Sequence, residues 1–216
     1  MTVNPLDVPP DPAVPFQPRS GQRGSGFLTG PHRLGTTPSS TVGPYLAIGL
    51  TMADGAWAAE VGTEGGFWIR GQVFDGAGDV VPDAMLETWQ ADPDGRFPSP
   101  EDPRGVSSYP GFRGYARAQT ISGGFEVFTL KPGRVPDGEG GLQAPHLDVS
   151  LFARGLLDRV VTRIYFADEA AANAEDAVLR GLSDEQRVTL ISEPTEDGYR
   201  LDLHLQGERE TVFFAV

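Results

Sequence analysis

The sequence predicts an all-β fold: a single β-sandwich domain with a small helical insertion and an extended N-terminal arm. Three observations lead to this prediction. The 216 residues include 28 glycines and 19 prolines, which favour many short elements joined by turns. Short segments rich in β-branched and aromatic residues lie between those turns. With 39% hydrophobic residues, the chain can bury one sizeable core.

The N-terminal region differs in composition from the rest of the chain. Residues 1–35 are rich in proline, glycine and small polar residues and have no hydrophobic period, which is typical of an extended or disordered arm. Residues 36–50 are still irregular, and we interpret them as an ordered arm laid along a surface. No linker interrupts the sequence after that, so 36–216 is predicted to be one domain.

The regular elements follow in order. Predicted strands are bounded by turn signals such as Asp75–Gly78 and Asp92–Gly95. An alanine-rich helix that opens with acids is predicted over 168–179. A short helix over 183–190 has Ser183 as its cap and Gln186 three residues on. The predicted strands are 67–74, 84–91, 115–120, 124–129, 146–154, 160–166 and 199–205.

Charge and composition exclude several classes of partner. A net charge of −13 and a pI near 4.5 argue against nucleic acid and anionic membranes, which bind mainly lysine and arginine. No apolar run approaches the roughly 20 residues of a membrane span, and the N-terminus lacks the regions of a signal peptide. Without cysteine, disulfides and thiolate metal sites are excluded. We expect a soluble, cytoplasmic protein.

His146 and Asp148 are the first candidates for a site. On a strand, residues i and i+2 point to one face, so the pair can begin a metal site. A non-haem iron triad needs a second histidine, and His204 lies on the polar face of an alternating strand. The residues alone therefore favour a hydrogen-bonded, partly buried His146 over a metal ligand.

Three further side chains leave their role open. Arg154 ends an apolar strand, where its guanidinium can receive a carboxylate ligand, but spacing alone favours a surface ion pair. Arg163 either reaches into a pocket or covers the sheet edge. Tyr45, on the arm, is equally compatible with a pocket wall or partner contact and with no specific role.

Four motifs in this order resemble the intradiol ring-cleaving dioxygenases: Thr37–Tyr45, Val81–Asp92, Lys131–Gly133 and Ala144–Gly155. The resemblance extends from about residue 36 to the C-terminus, and it implies an intradiol dioxygenase-like β-sandwich. In two-chain members of the family, the β chain holds Fe(III) through two tyrosines and two histidines. The active site of those members lies at the interface of the α and β chains.

The resemblance also implies which chain this is. At the positions of the β-chain motifs, Val135 replaces a tyrosine, Asp148 replaces a histidine, and His146 is retained. Gln143 stands in place of an arginine, and the second tyrosine position falls near Arg104. The chain is thus similar to the family's α type, with no metal site of its own and with the iron held by a homologous β subunit.

The implied activity is shared between the two chains. The α residues that close the substrate pocket match Thr41, Gly43, Pro44, Tyr45 and Arg154. The reaction is cleavage of protocatechuate by O2 to 3-carboxy-cis,cis-muconate, a step of aromatic catabolism in the β-ketoadipate pathway.

Two alternatives remain open at this stage. The first is a non-enzymatic β-sandwich module that binds a small aromatic acid or a partner protein. The second is an independent metalloenzyme that uses His146, Asp148 and a third ligand, and the shortage of histidines makes it the least supported.

Overall fold

A computed structural model of the chain describes residues 40–120 and 123–215, so the predicted arm at 1–35 and residues 36–39 lie outside it. Within the described residues the chain forms ten strands. They are β1 Gly66–Gly71, β2 Val73–Phe74, β3 Met85–Trp89, β4 Tyr115–Gln119, β5 Phe125–Leu130, β6 His146–Phe152, β7 Val160–Phe166, β8 Ile191–Thr195, β9 Gly198–Arg200 and β10 Leu203–His204.

Eight of these strands pair in the order β4-β3-β6-β7-β8-β9-β1-β5, and β10 pairs with β2. The first half of β8 pairs with β7 through Ile191 and Ser192. Its second half pairs with β9, from Glu193 to Thr195. One continuous strand therefore passes from one layer of the sandwich to the other and joins the two layers.

The core lies between these layers. Leu86, Leu147 and Ile164 come from the layer containing β3, β6 and β7, whereas Ile69 and Val127 come from β1 and β5 in the other layer. All five are at most 1% exposed and belong to one apolar cluster. The predicted β-sandwich is confirmed, because strand alternation gives each layer one apolar face to bury against the other.

The helical elements are short, and one boundary prediction is wrong. They are α1 Tyr45–Gly49, a 3-10 turn Ala167–Glu169, α2 Ala170–Glu175, α3 Ala177–Arg180 and α4 Asp184–Val188. The single helix expected over 168–179 is broken because Asp176 adopts extended backbone dihedrals and caps α3 with its side chain. The predicted cap of α4 is confirmed, since Ser183 and Gln186 form a reciprocal capping box.

Two strand predictions also differ from the structure for one reason. The segment 67–74 is divided at Gln72, whose backbone N–H donates to Asp202 Oδ1 at 2.9 Å. Asp202 in turn lies between β9 and β10, so the segment predicted as 199–205 is divided as well. β8 was not predicted, since Glu193 and Pro194 interrupt its apolar pattern. In the described part of the chain, no helix is long and apolar enough to cross a membrane.

Candidate functional site

The three residues that the resemblance assigns to degenerate ligand positions, Val135, His146 and Asp148, line one narrow recess. β6 presents His146 and Asp148 on the face opposite its core residues. Val135 lies on a loop, and its carbonyl accepts the backbone N–H of Gln143 at 2.8 Å. The recess is too small to hold a water molecule. We use "the recess" below for these three residues together with Arg163.

The guanidinium of Arg163 forms hydrogen bonds with side chains beside this recess. Arg163 on β7 lies directly across from Asp148 on β6. Its Nε donates to Asp148 Oδ1 at 2.9 Å, and Nη1 donates to Gln143 Oε1 at 2.7 Å and to the Tyr165 hydroxyl at 3.2 Å. The side chain is 19% exposed. Arg163 therefore does not merely cover a sheet edge, since β7 lies inside the sheet, and it bonds to Asp148 beside the recess.

His146 is held as a neutral side chain. Its Nδ1 lies 2.7 Å from the carbonyl oxygen of Ala144, which can only accept, so Nδ1 carries the proton. Its Nε2 is 3.8 Å from Asp148 Oδ1, beyond hydrogen-bond range. Burial, and next the positive charge of Arg163, lower the pKa of His146. The residue-based interpretation of a buried, hydrogen-bonded histidine matches this environment.

The recess does not fit a ferric ion. Val135 supplies no ligand atom, Asp148 is already paired with Arg163, and the guanidinium repels a second cation. Across residues 40–120 and 123–215, no three His, Cys, Asp or Glu side chains are grouped to hold a metal. Arg104, near the other tyrosine position, binds Asp102 through Nε at 2.9 Å and Nη2 at 2.7 Å.

Asp176 joins the segment before β6 to the start of α3, and it was missed from the sequence. It is fully buried, and its carboxylate accepts the backbone N–H groups of Ala144 at 2.8 Å, Val178 at 2.9 Å and Leu179 at 3.1 Å. The buried Tyr165 hydroxyl lies 3.4 Å away, and burial raises its pKa to about 12. The missed signal was an aspartate at a helix N-cap inside an alanine-rich run.

The pocket residues expected from the resemblance lie on a different part of the surface. Thr41 Oγ1 accepts the backbone N–H of Gly155 at 2.8 Å and that of Gly43 at 3.2 Å. The N–H of Val42 donates to the carbonyl of Leu156 at 2.7 Å. These bonds tie the arm to the turn that follows β6. We call residues 41–45 and 153–156 the arm–turn edge.

The conformation of Gly43 explains how the arm turns there. Its φ of +66° lies in the left-handed region, which glycine adopts without a steric cost. Pro44 follows as the N-cap of α1. Tyr45 thus begins a helix, although the sequence indicated neither helix nor strand, and its side chain is 79% exposed.

Arg154 lies on the same edge and forms an ion pair with Asp83. Its Nε lies 2.9 and 2.8 Å from the two carboxylate oxygens, and Nη2 also donates to Oδ2. The arginine side chain is 61% exposed, whereas that of Asp83 is 11% exposed. The ion pair expected from spacing is present, and Arg154 also lies next to the arm, as the resemblance implies.

A structural comparison shows the fold, and a family model defines the class of protein. The structure is similar to that of an intradiol ring-cleavage dioxygenase from Tetranychus urticae, with a TM-score of 0.53 and 16% identity, over 69% of this chain and 83% of that one. A family model described as "Dioxygenase" matches residues 43–207. The chain belongs to the intradiol dioxygenase family, whose members depend on iron.

Sequence identity to individual relatives distinguishes the two subunit types of the family. The chain is 42% identical over 195 residues to the protocatechuate 3,4-dioxygenase alpha chain of Burkholderia cepacia, covering 83% of this chain and 97% of that one. It is 31% identical over 154 residues to the beta chain of the same organism's enzyme, covering 66% and 65%. The chain is therefore similar to both subunit types, and more so to the alpha type.

Proposed function

We propose that this chain is the alpha, non-iron-binding subunit of a protocatechuate 3,4-dioxygenase. The observation that carries the proposal is the pairing of Asp148 with Arg163, with Val135 and Asp148 at two positions where the resemblance gives the β motif its ligands. The domain that performs this role extends from about residue 36 to the C-terminus. A cytoplasmic location stays a prediction from the sequence.

The partner is a homologous beta subunit that holds Fe(III). In this proposal the beta-bound iron supplies the ring-cleavage chemistry with O2, and the product is 3-carboxy-cis,cis-muconate. The present chain contributes no ligand to the metal. Its role is to complete the wall of the substrate pocket at the interface between the two subunits. The reaction is a step of the β-ketoadipate pathway.

The arm–turn edge is the part of this chain that we assign to the pocket. Protocatechuate is an anion, so an arginine at the pocket mouth favours its binding. Arg154 and Tyr45 project from the lone chain, whereas Thr41, Gly43 and Pro44 set the path of the arm. A surface of this kind excludes water and orients the substrate once the partner subunit covers it.

The proposal is tested by comparing the lone chain with the co-expressed pair. The partner is a homologous chain that carries both tyrosine and both histidine ligands. We expect no stoichiometric iron and no visible tyrosinate-to-iron absorption from the lone chain, and both features together with ring cleavage from the pair. One tightly bound iron per lone chain would overturn the assignment.

A calorimetric titration of the lone chain with protocatechuate separates the binding-module alternative from the subunit assignment. Because the arm–turn edge is open on one side, the lone chain is expected to bind protocatechuate much more weakly than the pair. Equal affinity of the lone chain and of the pair favours a binding module and contradicts a pocket shared between two subunits.

A further inference from the structure

We propose that Asp83 is the positioning residue for Arg154: it holds one edge of the guanidinium and leaves the other edge for the substrate carboxylate. This inference rests on the proposed function, because it deepens the role assigned there to Arg154. The resemblance implies no role for Asp83, which lies outside the arm and before β3.

Asp83 is attached to a fixed part of the sandwich. The turn that carries it is closed by the hydroxyl of Thr120, which donates to the carbonyl of Val81 at 2.6 Å and accepts the N–H of Ala84 at 2.9 Å. The N–H of Thr120 donates to the carbonyl of Ala84 at 3.0 Å. Thr120 and Ala84 are fully buried. The backbone that carries the Asp83 carboxylate is therefore held in place by buried hydrogen bonds.

Arg154, by contrast, lies on an exposed turn. With a long side chain that is 61% exposed, an unpaired arginine at this position samples many rotamers. Asp83 removes that freedom because it accepts from two nitrogens at once, Nε and Nη2. A two-point contact fixes the plane of a guanidinium as well as its position.

The geometry of the pair leaves donors for a ligand. A guanidinium has five N–H groups, and the contact with Asp83 uses the edge formed by Nε and Nη2. Neither hydrogen of Nη1 has an acceptor among residues 40–120 and 123–215. The edge formed by Nη1 and Nη2 thus matches an incoming carboxylate with two parallel hydrogen bonds.

The arm is held against the same turn. The N–H of Gly155, the residue after Arg154, donates to Thr41 Oγ1 at 2.8 Å. Asp83 fixes the side chain of Arg154, and Thr41 fixes the backbone beside it. The two contacts come from different parts of the chain and place one guanidinium next to the residues proposed to line the pocket.

Two effects of Asp83 oppose each other, and their balance gives the test its sign. Its negative charge offsets the charge of Arg154 and so weakens attraction of an anion. Its two-point contact pre-organises the donors and so strengthens binding. The Arg154 side chain is 61% exposed in the lone chain, so solvent and salt screen part of the charge effect. Pre-organisation is therefore expected to dominate, and removal of Asp83 is expected to weaken substrate binding.

The experiment uses the co-expressed iron-containing pair with substitutions in this chain only. Asp83→Asn, Asp83→Glu, Arg154→Ala and the double variant Asp83→Asn/Arg154→Ala are compared with Asp79→Asn, an exposed aspartate nearby. The readouts are KM and kcat for protocatechuate and for catechol, which lacks the carboxylate. Calorimetric Kd values for 4-hydroxybenzoate and phenol supply a measurement that does not depend on turnover.

Asp83→Asn is expected to raise KM for protocatechuate and Kd for 4-hydroxybenzoate about tenfold, with kcat changed less than about twofold. The catechol and phenol values should not change, because neither molecule has a carboxylate. Asp83→Glu should restore most of the affinity. The double variant should bind no more weakly than Arg154→Ala alone, since both changes remove the same contact.

The outcomes separate this inference from the proposed function. If Arg154→Ala weakens 4-hydroxybenzoate binding but Asp83→Asn leaves it unchanged or tightens it, the positioning role is wrong and the pocket role of Arg154 stands. If Arg154→Ala has no effect, both are wrong. Should Asp83→Asn fail to assemble, Arg154→Lys tests the same point, because lysine keeps the charge but not the two-point contact.

Discussion

The recess and the arm–turn edge both contain an arginine–aspartate pair, but the two pairs lie in different environments. In the recess, the Arg163 side chain is 19% exposed and is bonded to Asp148, Gln143 and Tyr165. At the edge, the Arg154 side chain is 61% exposed, and Asp83 is its sole hydrogen-bond partner among the residues that the structure describes. One guanidinium is mostly buried and has three partners in its own chain, whereas the other is mostly exposed and has one.

The difference teaches which of the two regions is available to other molecules. The recess has neither the space nor the free ligand atoms that a metal needs, so we expect its side chains to act in stability. The edge sends Ala153 into the core, but it also presents charge and aromatic surface through Arg154 and Tyr45. Substitutions in the recess should therefore change folding, whereas those at the edge should change binding.

The largest effect on folding is expected at Asp176. Asp176→Ala leaves two buried backbone N–H groups and one partly buried one without an acceptor and removes the cap of α3. We expect the free energy of unfolding to fall by about 3 kcal/mol, measured by urea denaturation. Asp184→Ala, in the exposed first turn of α4, is the control and should cost less than about 0.5 kcal/mol. Equal losses in both variants would contradict the comparison.

A smaller loss is expected at Arg163. Arg163→Met removes the cation from the recess and leaves Asp148 without its partner. Because the Asp148 side chain is 40% exposed and can be hydrated, we expect a loss of about 1–2 kcal/mol, between the values for surface and buried pairs. Arg159→Met is matched to it, since Arg159 is exposed and bonds only Ser150 among the described residues. A stability equal to that of Arg159→Met would show that the recess does not need its cation.

The buried His146 should make the stability of the chain depend on pH. The pKa of His146 is lower in the folded chain than in the unfolded one, so the unfolded chain binds the extra proton as pH falls through the unfolded pKa. Stability should therefore decrease between pH 7.5 and 5.5, with a slope of at most about 1.4 kcal/mol per pH unit from this group.

His204 also contributes to this decrease of stability at low pH, since burial lowers its pKa as well. His146→Gln and His204→Gln, each followed by urea denaturation across this pH range, assign the two shares. A slope that His146→Gln does not reduce would show that His146 is not held neutral.

The smallest effect on folding is expected at the arm–turn edge. Tyr45 is 79% exposed, so Tyr45→Ala should change the stability of the lone chain by less than about 0.5 kcal/mol. Thermal unfolding of the lone chain measures this, and Tyr165→Ala, in the fully buried core, is the contrast. A large loss at Tyr45 would mean that the edge belongs to the folding core.

Much of the fold was predictable because local patterns agree with tertiary packing. The alternation in 146–152 predicted that His146 and Asp148 share one face, and the structure buries Leu147 and Val149 on the other. The capping box of Ser183 and Gln186 was predictable, since the two residues are only three positions apart in the sequence. Asp202 was not predictable as a strand breaker, because its bond to Gln72 joins residues 130 positions apart.

The candidate site divides in the same way. The sequence by itself determined that one histidine and one aspartate share a face of β6, and the resemblance named the residues of the edge. Only the tertiary structure decided that Arg163 pairs with Asp148 and that Asp83 holds Arg154. Both are contacts between side chains of different strands or turns, and which of them form depends on strand register and loop path. Those are set by burial of the whole core, which no local window of sequence contains.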